Sequence, residues 1–117
     1  AMYEFSVTQT VNNAILNLCE QAGWDKVKKI LVKVGGIRKV NPELMSYIFT
    51  VLSEGTPTEG ATFSVMCLPV TLKCKACGRK GYRDDGEIIC PSCGSKDVKI
   101  LSGSEISIES LEVEKNH

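Results

Sequence analysis

Two Cys-x-x-Cys pairs, "CKAC" at 74–77 and "CPSC" at 90–93, constrain this chain more than any other feature. Twelve residues separate the pairs, and Gly78 and Gly94 follow them directly. That loop is of the right scale for a four-thiolate site, and a glycine after each pair lets backbone amides turn toward the sulfurs. The pattern predicts a zinc ribbon with Cys74, Cys77, Cys90 and Cys93 as ligands to one zinc per chain. Four thiolates fill the tetrahedral shell and leave no open position for water or substrate, so the expected role is structural. A segment this short has too little core to fold alone, and metal binding supplies about 10 kcal/mol in comparable zinc-finger peptides. Rubredoxin-like iron or a redox dithiol are the other uses of such a cluster.

Around this segment the chain reads as alternating helix and strand. Ser6 and Gln9 have capping-box spacing, and Val7, Val11, Ile15 and Leu18 recur at helical intervals, predicting a helix over 7–22. "KVKKILVKV" predicts a strand ended by Gly35 and Gly36, with Leu31 breaking its alternation. Asn41 as N-cap, Pro42 at the first position and Glu43 in the first turn open a second helix, which carries Leu44, Ile48, Val51 and Leu52 and stops at Gly55. Ala61, Phe63, Val65 and Cys67 alternate along a further strand running toward Pro69. Between the cysteine pairs, "DDG" at 84–86 predicts the turn of a short hairpin. Ile106 and Ile108 alternate out of phase with Leu111 and Val113, which predicts a bulge near Glu109 or Ser110. The fold class expected is α+β, a small sheet covered by two helices with an inserted zinc-ribbon domain. Its boundaries are 2–70 and 97–114 for the α/β domain and 71–96 for the ribbon. Cys19 and Cys67 stand alone and are expected to pack as small apolar residues.

The chain has 14 Lys and Arg against 14 Asp and Glu, a formal net charge of zero. No overall field draws it to phosphate backbones or anionic lipid, so neither nucleic acid nor membrane is an expected partner. The start "AMYEFSVTQT" has neither a basic nor an apolar signal region, which points to the cytoplasm, and Ala1 reads as a residue added ahead of Met2. Enzyme chemistry finds little purchase. The single histidine is His117, at the end, where a solvated tail is expected. "VGGIRK" lacks both dinucleotide and P-loop spacing. The chain is expected not to be an enzyme.

The order of "MYEFSVTQ", a helix, "ILVKVGGI", a helix opening "NPELMSYIF", "EGATFSV" and the two cysteine pairs resembles the HypA/HybF family over essentially the whole chain. These are nickel metallochaperones of [NiFe]-hydrogenase maturation. The resemblance implies an α/β nickel-binding domain carrying a zinc domain. It also implies partners: the GTPase HypB, the hydrogenase large-subunit precursor and, in some bacteria, urease maturation factors. It further implies a transient nickel site at a Met-His-Glu start, where an imidazole and backbone amides suit nickel(II). The corresponding residues here are Met2, Tyr3 and Glu4, so the histidine is replaced by a tyrosine. Asn41 stands where related chains often carry an acidic residue, and its cap position accounts for it. Two further readings stay open. One is a zinc-stabilised adaptor with lost or altered nickel binding; the other is an unrelated zinc-ribbon module for nucleic acid or protein.

Overall fold

The computed structural model describes residues 2–115, the Met2 side chain excepted. Ala1 and His117, for which an added residue and a solvated tail are expected, lie outside the described residues. The elements run α1 (Met2–Ala22), β1 (Lys26–Gly35), a 3-10 turn (Gly36–Arg38), α2 (Pro42–Leu52), β2 (Thr62–Leu68), β3 (Val70–Cys74), β4 (Lys80–Arg83), β5 (Val98–Ser102) and β6 (Ile106–Glu114). Two three-stranded sheets form, ordered β2-β1-β6 and β4-β3-β5. The class is α+β as expected, with a second sheet where one was anticipated. The chain divides into two compact units, one of 1–32, 40–66 and 108–117, the other of 33–39 and 67–107.

In the first unit, Val7, Val11, Ile15 and Cys19 recur every four residues and bury one stripe of α1. Helix α1 packs against α2, which contributes Met45 and Phe49 to the core. Phe49 stacks on Phe63 of β2 with ring centroids 4.5 Å apart, and Ser46 Oγ donates to the Phe63 carbonyl, fastening helix to strand. The Thr58 hydroxyl donates to Asn12 Oδ1 at 2.9 Å, satisfying two buried polar groups by one bond.

The start of α2 is set by local chemistry. Asn41 Oδ1 accepts the Leu44 N–H at 3.2 Å, and Pro42 fills a position whose N–H would have no helical partner. Asn41→Ala is expected to cost about 1 kcal/mol, read as a lowered midpoint in thermal or urea unfolding.

Helix α1 differs from its expectation, beginning at Met2 rather than Val7. Ser6 is an interior helical residue whose carbonyl accepts the Thr10 hydroxyl, so no capping box forms. The extra turn is supported by Glu4, an acidic residue near the positive end of the helix. Its Oε2 accepts the backbone N–H of Asn41 at 3.1 Å. On β6 the exposure pattern changes phase at Glu109 and Ser110. Cys19 is buried as anticipated, but Cys67 is exposed on β2, because the strand's alternation weakens after Phe63.

In the second unit the double glycine has a packing role. A Cβ on Gly35 would overlap the Gly103 backbone, and one on Gly36 would meet the Leu68 carbonyl at 2.7 Å. The Gly35 N–H donates to the Glu105 carbonyl, and that of Ile37 to Gly103. These glycines permit close chain approach, which leaves no phosphate cradle to explain.

Candidate metal centre

The cysteine segment differs in one respect from its sequence reading. Strand β3 pairs with β4 in antiparallel register, Val70 opposite Arg83 and Lys73 opposite Lys80, so the hairpin turns through the first cysteine pair. "DDG" is not a hairpin turn. Arg83 grips Asp85 with two bonds, Nε to Oδ1 at 3.0 Å and an amino group to Oδ2 at 2.6 Å, and Asp85 Oδ1 also accepts the Glu87 N–H. The bend is therefore organised by a bidentate ion pair, and those bonds hold the Asp85 carboxyl well below the usual carboxylate range. Strand β5 then returns along the other side of β3, with Cys74 opposite Val98.

Each cysteine pair makes the same knuckle. The Cys74 N–H donates to the Arg79 carbonyl and the Gly78 N–H to the Cys74 carbonyl; Cys90 with Ser95, and Gly94 with Cys90, repeat both bonds. Gly78 and Gly94 each have φ of +77°, the left-handed geometry that closes such a turn. Amides then face sulfur: Cys77 N–H reaches Cys74 Sγ, and those of Ser92 and Cys93 reach Cys90 Sγ, each at 3.4 Å. The first cysteine of each pair is buried and the second exposed.

All four ligand atoms lie within 4.8 Å of one another. Cys74 and Cys93 sulfurs are 3.6 Å apart, and those of Cys77 and Cys90 3.7 Å. A tetrahedron with metal–sulfur bonds of ~2.3 Å sets its sulfurs about 3.8 Å apart. The cluster therefore fits a tetrahedral, thiophilic ion such as zinc, and four thiolates close its shell. The thiols are also tuned unequally. The Cys93 N–H, then that of Ser92, stabilises the Cys90 thiolate and brings that group down to about 6. Cys74 is lowered chiefly by the Cys77 N–H. At Cys93 a backbone bond from Ser95 favours the thiolate, but hydrogen bonding among Cys74, Cys90 and Cys77 outweighs it and pushes the thiol up to about 11. Taking up a cation releases the protons that the thiols still hold.

The other sequence candidates meet at the start of α1. Tyr3 is partly exposed and Glu4 half-buried, both in the first turn, while the Met2 side chain lies outside the described residues. Its own backbone N–H, then that of Asn41, holds the Glu4 carboxyl below its ordinary value. The Glu4–Asn41 bond joins positions 37 residues apart, a link that no local sequence signal announces. Among the described residues no helix is long and apolar enough to cross a membrane.

Comparison with known proteins bears on all of these features together. The family described as "Hydrogenase/urease nickel incorporation, metallochaperone, hypA" matches residues 2–113. The chain belongs to the HypA family. Its HypA relatives include the hydrogenase maturation factor of Aquifex aeolicus, 31% identical over 97% of this chain and 98% of that protein. The hydrogenase maturation factor HypA of Nostoc punctiforme is 32% identical, with 97% of each chain covered. The solution structure of the Ni metallochaperone HypA from Helicobacter pylori shares the fold, with a TM-score of 0.66, 23% identity, and 97% of this chain and 98% of that one covered. Membership in HypA makes this chain a nickel metallochaperone for hydrogenase maturation in kind, and its cysteine cluster a site able to hold a metal such as zinc.

Proposed function

We propose that the protein carries nickel without catalysing a reaction, taking the ion at the start of α1 and passing it on during [NiFe]-hydrogenase maturation in the cytoplasm. The observation that carries this reading is the family match across 2–113, which includes both the N-terminal turn and the cysteine cluster. Cys74, Cys77, Cys90 and Cys93 hold one structural zinc, and the ribbon of 71–96 acts as a folded platform inserted in the sequence of the α/β domain of 2–70 and 97–114. Nickel is the cargo. Its ligands are the backbone amides at Tyr3 and Glu4 and the Glu4 carboxylate, with Met2 completing the terminal site. The GTPase HypB and the hydrogenase large-subunit precursor are the partners this role requires, with urease maturation factors where the host has that enzyme.

A shallow terminal site suits release, because an exposed first turn can open without disturbing the buried stripe of α1. The Asn41 N–H on Glu4 Oε2 competes with the metal for that oxygen, which weakens binding and favours handover. The same bond supports a second reading, a zinc-stabilised adaptor in which Glu4 serves only to fix α1. Titration of zinc-loaded protein with nickel chloride in a calorimeter separates them. The expected result is one saturable nickel site, lost when residues 1–4 are removed, with zinc content unchanged. Heat no greater than that of dilution would leave the adaptor.

A further inference from the structure

Neutral overall charge conceals a separation. The unit of 33–39 and 67–107 carries ten Lys and Arg against five Asp and Glu, whereas the other unit carries four against nine. Their formal charges are +5 and −5. Three of those cations meet on one sheet. Lys73 on the central strand β3 stands opposite Lys80 on β4 and opposite Lys99 on β5. Residues directly opposite in antiparallel strands project from the same face, so these three lysines form one row across the sheet. All three are exposed, and none has an ion-pair partner among the described residues.

Such an arrangement works against the fold, since like charges opposite each other destabilise a strand pair. Two of the unit's five acidic residues are engaged elsewhere: Asp85 by Arg83, and Glu87 by Lys39. Beside the row lies a shallow cavity of about 330 Å³ lined by Pro69, Thr71, Lys80, Gly81 and Tyr82. Tyr82 sits opposite Thr71, two residues along β4 from Lys80, and is 64% exposed.

We propose that the Lys73–Lys80–Lys99 face is a docking surface for an extended acidic segment of a partner protein, its carboxylates on the lysine row and one apolar side chain in the hollow beside Tyr82. Charge complementarity selects the partner's sign, and the hollow selects a peptide. A nucleic acid fits less well. The row has no arginine to fork a phosphate, and Tyr82 is the one aromatic at the hollow. A short acidic segment senses only the row, because screening confines each charge to about 8 Å at physiological salt. This surface is independent of where nickel binds.

The test uses zinc-loaded full-length protein and a fluorescein-labelled peptide of glutamates around a central leucine, followed by anisotropy over a salt series. Binding should weaken with salt, and the triple change Lys73→Gln, Lys80→Gln, Lys99→Gln should reduce affinity by at least about tenfold. Lys26→Gln, Lys28→Gln, Lys29→Gln removes the same charge from the other unit and should leave binding unchanged. Tyr82→Ala should weaken the leucine peptide but not an all-glutamate one. Zinc content and circular dichroism report that each variant is folded. Equal losses in the two triple variants, or no loss in the first, would overturn the proposal. So would a single-stranded oligonucleotide of matched charge that binds the row as tightly as the peptide.

Discussion

Cys74→Ser is expected to remove stoichiometric zinc and unfold the second unit while leaving the helices of the first intact. That unit buries few apolar side chains, chiefly Val34, Val70 and Leu72, and its other buried groups are the thiols of Cys74 and Cys90. A core so small cannot offset the entropy of ordering its loops, about 1–2 kcal/mol per residue for the backbone alone. The ion closes that gap, with about 10–16 kcal/mol available to structural zinc in finger peptides. Cys74 is a demanding position for the substitution, because it is buried, ends the central strand β3 and accepts the Cys77 N–H. Hydrogen exchange should show protection lost across 70–102 and retained in α1 and α2, and metal analysis should show less than one zinc per chain. Retention of both zinc and protection would mean that the ribbon supports itself.

What the sequence revealed and what it hid divide along the range of the interactions responsible. Helix α2 was legible because its cap, its proline and its first-turn acid are adjacent residues. The cysteine cluster was legible because two local spacings generate two identical knuckles. The start of α1 was not, since it depends on a carboxylate meeting a backbone amide 37 residues away. The hairpin was misplaced because turn chemistry at Asp84–Gly86 resembles a hairpin loop, whereas the cysteine knuckle itself reverses the chain. Alternation alone assigns Cys67 to the core, yet Phe63 is the one buried position of its strand. The lysine row needed the register of three strands, and net charge averaged it away.

Tyr3→His is expected to tighten nickel binding at least about tenfold, equivalent to 1.4 kcal/mol. Phenols as a class bind a metal ion well only after losing a proton held to about pH 10, while an imidazole offers a neutral nitrogen near pH 7. Nickel(II) favours that nitrogen over an oxygen donor. The position itself is suitable, since Tyr3 is 40% exposed and next to Glu4 in the first turn of α1. Glu4 enters the comparison as a carboxylate whose Oε2 accepts the Asn41 N–H, with which a bound ion competes. Glu4→Gln should therefore weaken nickel binding in both backgrounds, and the gain from histidine should survive it in part if the two side chains contribute separate ligands. Calorimetry on the four proteins forms a double-mutant cycle. A Tyr3→His change that leaves the nickel affinity where it was would remove the start of α1 from consideration as the cargo site, whatever the zinc cluster does.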